Sequence, residues 1–443
     1  MMNVLKAEFV WCVSMAQPRC NSYYNATIKQ ETDYPALTGD ISVDIAVIGG
    51  GFSGVNTALE LAEKGFSVAI LEANKIAWGA TGRNGGQVTG SLSGDAAMTK
   101  ALRKHLGSEA EDYVWKMRWR GHDIIRSRVE KYQIDCDLKH GHLHAAYQPG
   151  HLDELQAMHD EGHARGMGEH MTLLSRAEVP DYLGTTVYHG ALLNTKNMHL
   201  HSVNLCIGEA RAAESLGVQV FENTLVLEIK HGTKPQLITR QGMVSAETVI
   251  LTGNAYHRLE RRKLMGKMFP ASLGNMATKP LSDEQVQSIN PKDLAVYDCR
   301  FVLDYYRLTA DKRLMFGGGT NYSGKDSKSV SAELLPALLH VFPQLAGIQV
   351  EYEWTGLAGI VLNRIPQIGK TSDNVYYLQG YSGHGIATSH IMSEVLADAV
   401  AGDMTEYDYF ASMFHWRIPL PEWFGNQALA LGMQWYKLAE KWR

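Results

Sequence analysis

From Asp44 to Glu72 the chain reads DIAVIGGGFSGVNTALELAEKGFSVAILE, and no other stretch restricts the possible folds as much. The short Val- and Ile-rich run ending at Ile48 has the continuous apolar character of a strand buried on both faces. Gly49, Gly51 and Gly54 then form G-x-G-x-x-G where a helix should open. Each glycine has its own reason: a tight turn, close backbone approach to a pyrophosphate, and close packing of helix on strand. The free N–H groups and positive dipole end of that helix face the phosphates, so no lysine is required. Ala58, Leu61 and Ala62 place small apolar residues on one helical face, and Gly65 permits the turn into a second strand. Glu72 ends the unit where an acid can accept hydrogen bonds from ribose hydroxyls. The unit therefore predicts a grip on adenosine diphosphate and leaves NAD and FAD both open.

The 443 residues suffice for two domains, and 45% hydrophobic with 20% charged residues is an ordinary globular composition. A net charge of −5 supplies no electrostatic footprint for nucleic acid or for an anionic membrane. Cys12, Cys20, Cys136, Cys206 and Cys299 are odd in number and form no C-x-x-C, which argues for a reducing compartment and against a disulfide framework. The opening run has a thin positive region and is interrupted by Glu8, so the expected location is the cytoplasm, with residues 1–14 read as an upstream extension before Met15. No later run has the 18 apolar residues of a bilayer span, and the near balance of Lys and Glu around Trp416, Trp423, Trp435 and Trp442 favours packing against the body over a membrane surface.

Further along, residues 15–40 read as an irregular surface arm. The loop 78–86 holds four glycines in the eight residues from Gly79, with Arg83 offering a fork to a phosphate and Asn84 an amide. Residues 96–133 look helical. In the expected strand 136–147, His140, His142 and His144 fall on one face. They lack carboxylate or thiol partners at metal spacing, and His159 and His163, four apart, lack the H-E-x-x-H pattern because Asp160 follows the first and Glu161 is one place too late, so no metal site is expected. A buried strand from Glu247 ends near Gly253, as ligand-crevice strands do. Residues 270–350 change to strands, such as 301–308 and 313–317, separated by polar turns, the mark of an antiparallel sheet inserted into the chain. A strand over 374–379 leads through a second glycine-rich turn, 380–385, into a helix whose N-terminus suits negative charge.

The segments GATGRNGGQ, QIDCDLKHGHLHAA, GALLNTKNMHLHSVNLCIGEA, ILTGNAY, LDYYRLTADKRLMFGGG and YYLQGYSGHGIATSHI together resemble the D-amino-acid-oxidase and sarcosine-oxidase superfamily of FAD enzymes, and within it the gamma-glutamylputrescine oxidases. The likeness runs from about Asp44 to the end. It implies an α/β fold: a Rossmann-like FAD-binding domain (41–130, 198–256 and 352–412) with an inserted α+β substrate domain (131–197 and 257–351) on an antiparallel sheet. An N-terminal arm (1–40) and a C-terminal helical tail (413–443) flank them. It implies FAD rather than NAD, with Gly49, Gly51, Phe52, Ser53, Gly54, Glu72 and Ala73 around the adenosine diphosphate half. Thr81, Gly82, Arg83, Asn84, Gly85, Gly86 and Gln87 would lie near pyrophosphate and flavin, Val226 at the adenine, and Gly253, Asn254 and Gly356 along the cofactor. Gly383, His384, Gly385 and Ile386 would face the pyrimidine edge of the flavin.

Two departures refine the substrate. Relatives acting on alpha-amino acids carry an arginine after W-x-G-L to clamp the carboxylate; here Trp354-Thr-Gly-Leu is followed by Ala358, which cannot make that clamp. Relatives with covalent flavin use a cysteine in the C-terminal FAD segment, and this chain has none after Cys299, so non-covalent FAD is expected. The implied reaction is hydride transfer from the carbon beside a neutral amine to the flavin. The resulting imine hydrolyses to an aldehyde, and O2 is reduced to hydrogen peroxide. His384 would assist amine deprotonation or only hydrogen-bond the cofactor. Tyr305, Tyr306 and Trp354 would form an aromatic wall for the amine, or else belong to the core of the second sheet. An amino-acid oxidase and a quinone-linked dehydrogenase are the rival activities on this scaffold.

Overall fold

The chain, described over residues 17–418 by a computed structural model, is built on two large sheets. The expectations for residues 1–14 and for Trp423, Trp435 and Trp442 lie outside the described residues.

In the first sheet the strands Val375–Gln379, Met243–Leu251, Ile41–Ile48, Val68–Leu71 and Gln219–Phe221 lie side by side and parallel. Val68–Leu71 and Val375–Gln379 are buried along their whole length, as strands covered on both faces must be. In-register pairs such as Ile48 with Leu251 and with Leu71 bring these strands to a common carboxyl edge. Helix Phe52–Glu63 makes the crossover between the first two strands and packs between Ser202–Ser215 and Gly385–Val400. The opposite face is covered by the Glu228–Lys230 and Gln236–Ile238 hairpin and by Leu37.

The second sheet runs in the order Val350–Ile360, Phe269–Thr278, Leu314–Asn321, Tyr305–Leu308, Ala295–Asp298, Lys139–Ala145, Gly190–His199 and Gln87–Val88, with Met171–Ser175 beside Gly190–His199. It is antiparallel as expected except between Ala295–Asp298 and Lys139–Ala145, which pair in parallel. A parallel pair needs a long crossover, and the intervening chain supplies it by passing through the first sheet. Val350–Ile360 pairs along most of its length with Phe269–Thr278, so residues 352–360 belong to this sheet rather than to the first.

Five local expectations are corrected. The 96–133 helix is two helices, Asp95–Leu106 and Ala110–Lys131, parted at Gly107, whose φ of +57° suits a glycine break. The bulge at Gly141, φ +104°, interrupts the histidine row: His140 is exposed while His142 and His144 are buried. The expected strand 301–308 begins only at Tyr305. The arm before Ile41 is no loose surface segment, because Tyr23 and Tyr24 on the short helix Tyr23–Ala26 are buried in the main core. Residues 413–418 form no helix; this segment runs beside residues 262–266, with Ile418 N–H donating to the Gly266 carbonyl at 2.9 Å.

Candidate active site

Four strand ends of the first sheet deliver Gly49, Glu72, Thr252 and Tyr381 to one cavity of about 1230 Å³. That exceeds the ~300–1,000 Å³ of common small-ligand pockets, so there is room for an extended cofactor and a second small molecule. All the expected cofactor residues line it except Gly54 and Gly82.

Those two glycines act behind the wall. A Cβ on Gly54 would stand 1.9 Å from the Gly49 carbonyl oxygen, and one on Gly82 would stand 2.4 Å from that of Ala77. Gly49 itself turns the chain at φ +114°. Gly51 is the N-cap of Phe52–Glu63 and brings no capping side chain; the Phe52 N–H donates to Thr81 Oγ1 at 3.0 Å. The second helix aimed at the cavity, Gly385–Val400, also lacks a side-chain cap. Two positive helix ends thus open on one space from opposite parts of the chain.

The Glu72 carboxylate accepts from the backbone N–H of Gly50 at 2.7 Å and of Asn74 at 2.9 Å. Burial raises its pKa against the pull of those two donors. Each carboxylate oxygen still has lone-pair capacity for a ligand hydroxyl. Arg83 and Asn84 are more committed than their motif predicts. Arg83 donates through Nε to the Trp78 carbonyl (3.2 Å) and through Nη1 to that of Thr355 (3.1 Å), and it stacks on the Trp78 ring. Asn84 donates to the carbonyls of Ala80 and Thr81 and accepts from Gly86 N–H and Ser202 Oγ. Its amide shapes the loop instead of reaching for a phosphate.

The other wall comes from the second sheet. Tyr305 Oη donates to Asn275 Oδ1 at 3.0 Å, and Asn275 Nδ2 donates to the Arg83 carbonyl at 3.1 Å. Trp354 Nε1 donates to that same carbonyl at 3.1 Å. Trp354 is buried beneath the loop and does not line the cavity, so it is no part of an aromatic wall for the substrate. Tyr306 is likewise excluded: it stacks on Phe316 in the core of the second sheet. Of the three aromatic candidates, Tyr305 alone lines the cavity, joined by Tyr297, Phe301 and Tyr322. His384 lines it at the N-cap of its helix, with its pKa lowered by burial and Nδ1 bonded to nothing among the described residues. Ala358 faces the same space.

Sequence reading missed Asn275, Tyr297 and Lys325 among the lining residues. Strand alternation, with Tyr305 inward and Tyr306 outward, could have located the first two had the register of the inserted sheet been legible. Lys325 lies in the loop after Leu314–Asn321, where periodicity carries no signal.

Residues 44–399 match the family model described as FAD dependent oxidoreductase. The chain belongs to this family. It is 37% identical over 423 residues, 95% of this chain and 98% of the other, to the gamma-glutamylputrescine oxidoreductase of Escherichia coli. The glycine oxidase of Geobacillus kaustophilus is 24% identical over 82% of this chain and 94% of its own. Among solved structures, the L-proline dehydrogenase of P. horikoshii superposes with a TM-score of 0.68 at 19% identity, covering 90% of this chain and 99% of its own. The crystal structure of the Geobacillus glycine oxidase gives 0.67 at 19%, covering 84% and 98%. The chain is therefore an FAD-dependent oxidoreductase of the D-amino-acid-oxidase type, and no helix among the described residues is long and apolar enough to cross a membrane.

Proposed function

We propose that this enzyme oxidises the C–N bond of an amine whose reacting carbon carries no carboxylate, a gamma-glutamylated amine or polyamine, giving an imine and then an aldehyde while O2 becomes hydrogen peroxide. The observation that carries the reading is Ala358 on the cavity wall, where alpha-amino-acid-oxidising relatives would place a clamping arginine. The 37% identity to a gamma-glutamylputrescine oxidoreductase over nearly the whole chain supports the substrate class. Lys325, exposed and also lining the cavity, is placed to pair with a distal carboxylate.

The residues fit FAD. A glycine turn that admits no Cβ and two helix ends without side-chain caps surround an elongated ligand's space, and no cysteine lines it among the described residues, which supports non-covalent binding. The residues from Gly49 to Ser53, with Glu72, Ala73 and Val226, would hold the adenosine diphosphate half, and Gly85, Gly86 and residues 383–386 the flavin half. Bound FAD supplies the two-electron acceptor. The protein's own residues bind and desolvate the amine, Tyr305 is held in place through Asn275, and the neutral His384 has a free Nδ1 that can take the ammonium proton. The four described cysteines are unpaired, in keeping with a reducing cytoplasm.

An aerobic panel tests this. Peroxide and a trapped aldehyde are expected from gamma-glutamylated diamines; peroxide from sarcosine or D-alanine, with none from gamma-glutamylated amines, would overturn the substrate class.

A further inference from the structure

Among the described residues the largest side chain buried almost completely is a cation, Arg307, at 1% exposure. Its donors all go to uncharged oxygens: Nε to the Gly85 carbonyl (3.0 Å), Nη1 to that of Leu308 (3.1 Å), and Nη2 to that of Leu200 (2.8 Å) and to Tyr24 Oη (3.3 Å). Among the described residues it forms no ion pair. Asp137, whose carboxyl feels its field, stands nearer Lys139, at 3.6 Å. Two flanking imidazoles, His199 and His201, are held neutral by burial first and by the Arg307 charge second, with pKa values pushed down to about 3.

A buried charge without a counter-ion is costly, and an apolar side chain of similar volume usually serves packing as well or better. The position of Arg307 indicates what the charge faces. On Tyr305–Leu308, Tyr305 and Arg307 project to one side of the sheet and Tyr306 to the other. Tyr305 reaches the cavity, and Arg307 sits directly behind Gly85 and Gly86, which line it. A Cβ on Gly86 would meet Arg307 Nη2 at 2.8 Å, so one backbone layer separates the guanidinium from the cavity.

We propose that Arg307 is a positioning residue whose permanent charge, fixed behind Gly85 and Gly86, raises the reduction potential of the bound flavin. The cofactor gains negative charge on two-electron reduction, so a fixed cation nearby favours the reduced form. The inference rests on the family's FAD and not on the choice of amine.

The test is equilibration of purified holoenzyme against a redox dye at pH 8, for wild type and three variants. Arg307→Met, which keeps bulk without charge, is expected to shift the flavin's oxidised-to-reduced equilibrium at least tenfold toward the oxidised form, about 30 mV for a two-electron couple. Arg307→Lys, which keeps the charge and loses most of the hydrogen bonds, should stay within threefold of wild type. Asp137→Asn removes a negative charge from the same field and should shift the equilibrium the opposite way, by about twofold or more. Equal shifts in the Met and Lys variants would show that the hydrogen bonds, not the charge, set the potential and would overturn the proposal. So would an unchanged potential in the Met variant. Should that variant not fold, an unchanged or lowered potential in Asp137→Asn overturns it alone.

Discussion

The cavity has two kinds of wall. Along the carboxyl edge of the first sheet the cavity is lined by backbone: Gly49 to Ser53, Gly253 and residues 383–386 present N–H groups and helix ends. Across from it the second sheet presents side chains, Tyr305 tied to Asn275, with Tyr297, Tyr322 and Lys325. Backbone donors cannot be changed by substitution without breaking the turn, so that wall suits a ligand common to a whole family. Side chains can be exchanged one at a time, so the other wall is the one that, on the proposed function, would set substrate choice.

The sharpest break of the comparison is on the backbone side. Gly54→Val forces a side chain into the space held by the Gly49 carbonyl, a conflict beyond the ~1–3 kcal/mol of ordinary overpacking. Purified protein, if obtained, should carry less than about a tenth of the wild-type flavin by its visible-to-ultraviolet absorbance ratio. Next is the seam where the walls meet. A Cβ on Gly85 would stand 2.5 Å from the Tyr305 ring, so Gly85→Ala should cost about 1–3 kcal/mol in chemical denaturation. Tyr305→Ala added to it should recover part of that loss, and strict additivity of the two would contradict the contact.

A smaller effect distinguishes the walls by pH. His142 and His144 pack at a tilt against Tyr297 behind the side-chain wall, at ring-centroid distances of 4.5 and 4.3 Å. Burial lowers the pKa of His144 to about 3, below the unfolded value near 6.5. The folded state therefore binds fewer protons, so this contribution to stability is complete above about pH 6.5 and is lost as pH falls from there toward 3. His144→Leu should reduce the slope of unfolding free energy against pH between 6 and 4 by up to about 1.4 kcal/mol per pH unit. Smallest is Tyr305→Phe, which removes the hydrogen bond to Asn275 and should lower stability by about 0.5–1.5 kcal/mol with flavin content unchanged.

The two walls also differ in how much of them the sequence discloses. Gly49 and Gly54 are legible because a side chain at either would collide with its neighbours, and the adjoining strand Val68–Leu71 is apolar throughout, so type and direction follow from local pattern. The side-chain wall depends on register between strands far apart in the chain, such as Tyr305 against Gly317 and Asn275 against Trp354. A shift of one residue would exchange Tyr305 for Tyr306, and nothing local in LDYYRL decides between them. Trp354 illustrates the cost: its motif points toward the site, yet its indole is spent on the Arg83 carbonyl. Arg307 lies in the same motif, and its role emerges only when Tyr24, from the N-terminal arm, and Leu200 are seen around it.

The central claim, that the first wall holds FAD while the second selects an amine without an alpha-carboxylate, is tested most directly by anaerobic bleaching of the bound flavin. Purified holoenzyme would be mixed with a gamma-glutamylated diamine, the same diamine unmodified, and D-alanine, and the visible flavin band followed. The account predicts full bleaching by the gamma-glutamylated amine at the lowest concentration and none by D-alanine. Bleaching by D-alanine with the gamma-glutamylated amine inert would contradict it.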